Sequence, residues 1–297
     1  MLFKWKDQKY FMQETDVVYI KYSYINTFLQ KLTAQYRQEE SAQAVAERDR
    51  NKKIPVWLLW LQGEDQMPEV VRLCYHSSRE NFPQEKTEIH LLTQENLFSY
   101  IRLPDVIIEK FNKGIISVTH LSDVIRFLLL KTYGGMWLDI TYYIGKKIPE
   151  EFFTDQKLWI HRMEHPLWTA DIVQGRWSCN LLMGPADHKL FRFICDALLF
   201  YWQCHDSLID YFVLDYIIAA AYENLEDVRS RIDGCPYSNP QIFVLRDKIN
   251  EAYDVGVYDD MISDTTFFKL SYKTGYVRAT EDGHPTLYDH LMQELES

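Results

Sequence analysis

The stretch Ser122–Thr141, SDVIRFLLLKTYGGMWLDIT, constrains the fold of this chain more than any other. Asp123 and Arg126 are three residues apart, so on a helix they share one face, while bulky apolar residues cover much of the remainder. Gly134 and Gly135 predict an abrupt end to that helix, because such a turn is easily made only by glycine. We therefore expect a charged pair at the edge of a buried helix, where it either orients the helix as a structural ion pair or serves a ligand.

A buried strand is predicted directly after the two glycines, at Met136–Ile140, and it carries one carboxylate, Asp139. Burying an unpaired carboxylate costs several kcal/mol, so such a residue usually meets a cation or a set of hydrogen-bond donors. A divalent metal that bridges a diphosphate is one such cation, although a single carboxylate seldom holds Mg²⁺ or Mn²⁺ without phosphates and waters. The strand therefore predicts an anion-binding site at its carboxyl end.

Alternating strands and helices predict an α/β fold. Ile54–Leu61 is a short continuous apolar run, typical of a strand buried on both faces. A loop, a helix at Pro68–Asn81 and a second strand at Glu88–Leu92 follow it. This is the opening of a doubly wound sheet, in which ligands bind outside the carboxyl ends of the strands. Further expected elements are helices at Asn26–Arg50 (exposed), Pro104–Lys113, Ser117–Tyr133, Lys189–Trp202 and Ser207–Tyr222, and strands at Lys157–His161 and Leu181–Met183.

Composition and charge limit the classes of function. The chain has 297 residues, 47% of them hydrophobic, so it can bury a large core, and its formal net charge of -11 argues against nucleic acid binding. Its five cysteines are widely spaced and favour reduced thiols in a cytoplasmic protein over zinc or disulfide roles. No signal peptide and no membrane span are expected. The aromatic and lysine-bearing first 28 residues fit either an N-terminal helical hairpin packed on the core or an interfacial membrane anchor.

Two segments, IPVWLLWLQG and HLSDVIRFLLLKTYGGMWLDITYYIGKKIP, and the spacing between them carry a family resemblance. They resemble the capsular polysaccharide synthesis glycosyltransferases, which are relatives of the family 32 sugar transferases with the DXD motif and, more distantly, of the glucosylating toxins. The resemblance covers residues 54 to 150 best. It implies a GT-A-type, Rossmann-like α/β fold with an N-terminal helical extension and additional C-terminal helices, divided into a helical segment at 1–53 and a glycosyltransferase domain at 54–297.

The resemblance also implies roles for individual residues. Asp123 would contact hydroxyls of the donor ribose or sugar, and Arg126 would hold the donor sugar or its phosphate. Asp139 would be the first acid of the Asp-x-Asp motif, which binds a divalent metal, Mn²⁺ or Mg²⁺, on the nucleotide diphosphate. The base and ribose of the donor would lie at the end of the first strand, against Trp60, Gln62 and Gly63.

Thr141 stands where the second acid of Asp-x-Asp is expected. A threonine hydroxyl is a neutral and weaker ligand, so we expect looser metal binding than an acidic pair would give. A third ligand would come from the carboxyl-terminal region, where the sequence does not separate four candidates: Asp259, Asp260, Asp264 and Ser271.

Residues elsewhere in the chain have both a functional and a structural interpretation. Lys269 and Lys273 could neutralise the leaving diphosphate, or form a solvated basic pair. Asp210 and Asp215 lie in an apolar helical pattern, where they could assist the sugar or acceptor, or act as hydrogen-bonded core acids. The aromatic residues Trp168, Trp177 and Tyr211 could stack on a sugar ring, or simply fill the core.

The function predicted from the resemblance is transfer of a hexose from a nucleotide diphosphate sugar, UDP-linked, to a glycan acceptor in capsular or other cell-surface polysaccharide synthesis. The related families retain anomeric configuration. A lipid-linked oligosaccharide acceptor would place the protein peripherally at the inner face of the plasma membrane. The rival interpretation is a non-catalytic GT-A-like module that binds a nucleotide or glycan. A nucleotidyltransferase is disfavoured, since the sequence lacks a glycine-rich phosphate loop with lysine near the first strand.

Overall fold

The computed structural model describes residues 2–5, 8–11, 14–39, 52–154, 157–165 and 171–296. The strands in these ranges are β1 (Leu2–Trp5), β2 (Gln8–Phe11), β3 (Ile54–Leu59), β4 (Thr87–Leu92), β5 (Gly135–Leu138), β6 (Tyr142–Ile144), β7 (Trp159–Ile160), β8 (Leu181–Gly184) and β9 (Phe267–Lys269). The helices are α1 (Glu14–Phe28), α2 (Gln30–Gln38), α3 (Glu69–Asn81), α4 (Leu97–Tyr100), α5 (Asp105–Asn112), α6 (Val118–Tyr133), α7 (Lys189–Cys204), α8 (Val213–Asn224), α9 (Glu226–Asp233), α10 (Val244–Lys248), α11 (Val255–Asp264) and α12 (Leu287–Glu296). Short 3-10 turns lie at Glu64–Gln66 and Glu150–Phe153.

A five-stranded mixed sheet in the order β4-β3-β5-β8-β7 forms the centre of the fold. β3 is parallel to β4 and β5, whereas β8 is antiparallel to both β5 and β7. The predicted α/β fold is confirmed, but the doubly wound pattern holds only for the first three strands of this sheet. Between β5 and β8 the described chain contains strands, a 3-10 turn and loops instead of a crossover helix. β8 therefore starts beside the carboxyl end of β5 and runs antiparallel to it.

Both faces of this sheet are buried, as the apolar first strand predicts. Along β3, Val56 and Leu58 face a core formed with α3, α11, α12 and the β6–β9 pair. Trp57 lies between them in sequence and faces the opposite core, formed with α6, α7 and α8. The helices and the β6–β9 pair therefore cover both faces of β3, and its carboxyl end is left to meet a ligand.

The helix before the central strand ends at a turn that requires two glycines. α6 begins after Ser117, whose Oγ accepts a hydrogen bond from His120 N at 3.4 Å, as a helix cap. It ends at Gly134 and Gly135, whose φ angles are 66° and 91°. A Cβ on Gly135 would lie 2.3 Å from Pro55 O, so the chain can pass this closely only as glycine. The turn fixes where β5 begins and hence where its last residue points.

A second, two-stranded sheet joins the carboxyl-terminal region to the end of β5. β6 and β9 are antiparallel, with Tyr142 opposite Lys269. Leu270 N also donates to Thr141 O at 2.9 Å, which extends this pairing by one residue. Because β6 starts only three residues after Asp139, the pairing brings Lys269 to the end of the central strand.

The amino-terminal region differs from its sequence prediction. Its first described residues form the antiparallel pair β1 and β2 rather than the expected helical hairpin. The expected exposed helix at Asn26–Arg50 begins earlier, is interrupted at Leu29 and ends at Gln38; residues 40–51 lie outside the described ranges. Most of α2 is exposed, as expected, but one face is buried, because Leu29 and Tyr36 pack in the core with α7 and α8. No helix within the described ranges has both the length and the apolar character needed to cross a membrane.

The helix expected at Ser207–Tyr222 begins later, at Val213. Asp210 explains the delay, since its Oδ1 accepts a hydrogen bond from Phe212 N at 2.7 Å and its Oδ2 pairs with Lys21 on α1. These contacts hold the chain in a turn before α8 and dock it against α1.

Candidate functional site

Asp139 lies directly after β5, at the carboxyl edge of the parallel strands. Its N–H donates to Asn180 O at 3.0 Å, and its carbonyl accepts from Tyr142 N at 3.0 Å, so backbone on both sides fixes the turn. The carboxylate is half-buried, with 27% of the side chain exposed. It is therefore rigidly placed and still reachable by a ligand.

Three donors bind the Asp139 carboxylate. Oδ1 accepts from Trp137 Nε1 at 2.9 Å and from Arg126 Nη2 at 3.2 Å, while Oδ2 accepts from Lys269 Nζ at 2.8 Å. Burial acts to raise the pKa of Asp139, but Lys269 and Arg126 outweigh it and hold the pKa below its usual range. Asp139 is therefore ionised at neutral pH and compensated by two cations, as a buried carboxylate should be.

Arg126 links the two predicted acids. Its Nη1 lies 3.2 Å from Asp123 Oδ1, while Nη2 contacts Asp139, and its guanidinium lies over the Trp137 ring at 5.0 Å from the centroid. Arg126 is only 5% exposed. Burial raises the pKa of Asp123 to about 6, against the lowering effect of Arg126 and His120. The predicted Asp-x-x-Arg face and strand-end acid thus form one continuous charge network.

A cavity of about 610 Å³ adjoins this network. Asp215 lines it and accepts a hydrogen bond from Trp177 Nε1 at 3.1 Å. Burial raises the pKa of Asp215 to about 7, and the nearby charge of Asp123 adds to the effect. On the side toward Asp139, the cavity is lined by Asn180, whose Oδ1 accepts from Tyr142 Oη at 2.7 Å. Polar groups in a cavity of this size are typical of small-molecule sites.

A second and larger cavity, of about 850 Å³, lies near the sheet edge formed by β7. Trp159, Arg231 and Asn239 are among the residues that line it. Residues 238–243 run between the two cavities, since Asn239 lines the larger one and Ile242 lines the smaller one.

The residues predicted to bind the base and ribose follow β3. The register of β3 on β5 pairs Trp57 with Trp137, so two residues further along Leu59 lies beside Asp139. Trp60 comes next, and its ring meets Tyr272 edge to face at 5.5 Å between centroids. Gln62 is exposed. Gly63 lies in the same loop with a φ of 85°. This loop therefore borders the same strand ends as Asp139.

The surroundings of Asp139 fit a protein-held divalent cation poorly. Both carboxylate oxygens are engaged by donors, and Thr141 contributes at most a neutral hydroxyl. No group of three or more His, Cys, Asp or Glu side chains among the described residues is arranged to hold a metal. At an effective dielectric of about 20, a divalent ion about 4 Å from the Lys269 ammonium would be repelled by roughly 8 kcal/mol. The metal expected at Asp139 and Thr141 stays a prediction, and its binding there would require Lys269 to move away.

Most of the other predicted residues lie outside the network. Asp259, Asp260 and Asp264 are exposed on α11, and Ser271 follows β9. Asp264 accepts a hydrogen bond from Gln241 Nε2 at 3.1 Å. Lys273 is exposed, and its side chain does not contact Asp139.

The three aromatic residues considered for sugar stacking differ in where they lie. Trp177 is fully buried, donates its Nε1 hydrogen bond to Asp215, and lines the 610 Å³ cavity. Tyr211 is 58% exposed and packs edge to face on His120. Trp168 lies outside the described residues.

All five cysteines are free thiols.

The sequence did not identify two contributors to the site. Trp137 could have been found, because it stands two residues before Asp139 and so lies on the same side of the strand. Asn180 could not, since it reaches Asp139 only through the antiparallel pairing of β8 with β5.

Comparison with known proteins shows which family the chain belongs to. No curated protein matches the chain significantly. One solved structure that matches is "PaToxG Glycosyltransferase", with 12% sequence identity, coverage of 94% of this chain and 97% of that chain, and a TM-score of 0.40. The sequence model of the family described as "Capsular polysaccharide synthesis protein" matches residues 7–291, which is nearly the whole chain. The chain belongs to the capsular polysaccharide synthesis protein family.

Proposed function

We propose that this protein is a glycosyltransferase that moves a hexose from a nucleotide diphosphate sugar, UDP-linked, to a glycan acceptor. One observation carries the proposal: Asp123, Arg126, Asp139 and Lys269 form a continuous charge network at the carboxyl ends of β3 and β5, beside a largely apolar cavity that Asp215 and Asn180 also line. This edge is where α/β sheets bind nucleotides. Membership of a polysaccharide synthesis family supports sugar as the substrate class.

The donor would bind with its base and ribose against Trp60, Gln62 and Gly63. Its diphosphate would lie toward Lys269, whose side chain is 19% exposed and whose ammonium has donors beyond the one that Asp139 accepts. Asp123 would accept a hydrogen bond from a hydroxyl of the ribose or sugar. Lys273 is exposed four residues after Lys269, and its positive charge would add to the electrostatic attraction for the diphosphate.

The hexose and the attacking acceptor hydroxyl would lie in the 610 Å³ cavity. Asp215 and Asn180 line its wall and offer groups that match sugar hydroxyls. Because the pKa of Asp215 is raised to about 7, its carboxyl group can donate as well as accept a hydrogen bond near neutral pH.

In the transfer step, the bond between the anomeric carbon and the diphosphate oxygen breaks, and a bond from that carbon to the acceptor oxygen forms. The acceptor proton passes to the leaving diphosphate. Asp139 makes a poor nucleophile, since Arg126, Trp137 and Lys269 bind both of its oxygens. The family resemblance implies retention of configuration, and retention without a protein nucleophile requires front-face transfer, which we propose. The protein would contribute positioning and neutralisation of the diphosphate charge.

The test is incubation of the purified protein with a panel of nucleotide sugars, followed by measurement of free nucleoside diphosphate and of the anomer released. Slow hydrolysis of one donor class, with retention, is the expected result. Absence of hydrolysis and transfer for every donor, in protein shown to be folded, would contradict the proposal.

A non-catalytic module is the second candidate, and Thr141 in place of an acid is the feature that favours it. Calorimetry with an intact nucleotide sugar separates the two. A module would bind the donor and return it unchanged, whereas an enzyme would release the nucleoside diphosphate over time.

We also propose a lipid-linked oligosaccharide as acceptor, presented at a membrane surface. Tyr19, Ile20 and Tyr24 are exposed on α1, and Val17 and Lys21 of the same helix line the 610 Å³ cavity. This apolar and aromatic surface would bind at the membrane interface and so hold the cavity at the level of the lipid headgroups. Co-sedimentation with anionic liposomes tests this proposal: replacing Tyr19 and Ile20 with serine should reduce binding, and equal sedimentation of wild type and variant would contradict it.

A further inference from the structure

We propose that Lys269 is a built-in counter-cation at Asp139, so that the donor diphosphate binds without a divalent metal. The inference rests on the proposed function, since it concerns the same donor site. It departs from the sequence prediction, in which a metal ion on Asp139 and Thr141 neutralises the diphosphate.

Backbone pairing between two short strands places Lys269 beside Asp139. The pairing of β6 with β9 sets Tyr142 opposite Lys269, and the Leu270 to Thr141 hydrogen bond fixes the register. The ammonium lies 2.8 Å from Asp139 Oδ2 and 4.8 Å from the centroid of the Tyr142 ring, a cation–π contact. Two separate partners therefore hold the side chain over the strand end.

The charges around Asp139 are balanced without a metal. Asp123 and Asp139 supply two negative charges when ionised, and Arg126 and Lys269 supply two positive ones. A divalent ion would add two positive charges next to both cations. Its protein ligands would be one carboxylate, already bound on both oxygens, and the neutral hydroxyl of Thr141. This is a poor site for a hard cation, which prefers several free oxygen ligands.

The same geometry suits a phosphate. An ammonium group has three N–H donors, of which Asp139 takes one, and the exposed fraction of the side chain is open to a ligand. A phosphate oxygen that binds these donors would gain a charge-assisted hydrogen bond at a fixed point beside the sugar cavity. Lys269 would thus do at the leaving group what a metal does in an Asp-x-Asp site.

Calorimetric binding of UDP to the full-length protein, in EDTA and in Mn²⁺, tests the inference. We expect wild-type affinity to agree within about twofold between the two buffers, a difference near the limit of such a measurement. Lys269→Met should lose about 10- to 100-fold in EDTA, as expected for a lost hydrogen bond to a charged group. Mn²⁺ should then recover part of the loss, because Asp139 Oδ2 is uncovered. Lys269→Arg should retain most of the affinity.

Lys248→Met is the matched control, since it removes a lysine whose partner is the exposed Glu251 on the surface. It should bind UDP as wild type does, and thermal melts should show that each variant is folded. Wild-type binding that appears only with Mn²⁺ would overturn the inference, as would full affinity of Lys269→Met in EDTA. No UDP binding in either buffer would instead contradict the proposed donor site itself.

Discussion

Asp139 is the residue on which the chemistry of the site depends. Asp139→Asn keeps the shape but removes the charge that Arg126 and Lys269 share. We expect donor hydrolysis to fall by about 100-fold or more, the size of effect seen when one preorganised electrostatic group is lost. Asp123→Asn should also reduce it, because Arg126 loses its second partner. Initial rates of nucleoside diphosphate release measure both effects.

The control for this pair is Asp247→Asn, which removes an exposed carboxylate bound to its neighbour Arg246. Its rate should equal that of wild type. If Asp139→Asn is folded and retains full activity, the charge network is structural and the active site lies elsewhere.

Asp215 should make stability depend on pH in a defined direction. Burial raises its pKa from 3.8 to about 7, so between these values the folded state holds a proton that the unfolded state has lost. Its contribution to the free energy of unfolding therefore falls as pH rises through this window, by roughly 2–4 kcal/mol, and is lost in full above about pH 7. Asp123, with its pKa raised to about 6, acts in the same direction.

Urea unfolding of wild type and Asp215→Asn from pH 5 to 8 measures the contribution of this one group. Buried histidines such as His161 act in the opposite direction, because burial lowers the pKa of His161 to about 4. Their contribution is the same in both proteins, so it cancels in the difference between wild type and variant. The variant should gain stability relative to wild type as pH rises. Parallel curves would show that Asp215 is not the titrating group.

At the scale of single elements, the turn between α6 and β5 places the site. Gly135→Ala would set a Cβ 2.3 Å from Pro55 O at a φ of 91°, so strand β3 or the turn must move. We expect the free energy of unfolding to fall by about 3 kcal/mol, or folding to fail, because backbone strain and a clash act together.

Gly275→Ala is the matched control for this turn, since nothing lies within 4 Å of its added Cβ and its φ is not positive. It should leave stability within about 0.5 kcal/mol of wild type in urea unfolding. Equal effects of the two substitutions would show that the turn at Gly135 does not need glycine.

Elements with strong local signals could be predicted from the sequence. The continuous apolar run predicted β3, and the Gly-Gly pair predicted the end of α6. Short pairings could not be predicted, because three residues at Phe267–Lys269 become a strand only through contact with β6. The late start of α8 was missed for the same reason, since Asp210 holds the preceding turn partly through a lysine on α1.

At the scale of the whole molecule, the amino-terminal helices belong to the same core as the sheet. Ile25 is fully buried with α7 and α8. Ile25→Ala should lower the free energy of unfolding by about 2–5 kcal/mol, the cost of a cavity in a packed core. Urea unfolding checks this value, with Ile20→Ala as the control, because Ile20 is 55% exposed on the same helix. Equal stabilities of the two variants would mean that α1 is an appendage.

Long-range contacts set the limit of sequence prediction for the site. Asp123, Arg126 and Asp139 lie within 17 consecutive positions, so their local pattern is enough to bring them together. Lys269 was only a candidate, since it reaches Asp139 across 130 residues of chain. Asn180 gave no signal at all. The sequence therefore predicted the two acids and Arg126, but not that Lys269 pairs with Asp139.

We propose that a nucleotide diphosphate binds where β3 and β5 end, and a crystal structure of the protein with UDP tests this most directly. We expect the base to lie against the loop at 60–63 and a diphosphate oxygen to lie within hydrogen-bond distance of Lys269 Nζ. A nucleotide bound instead in the 850 Å³ cavity beside Trp159 and Arg231, with Lys269 and Asp139 unchanged, would contradict it.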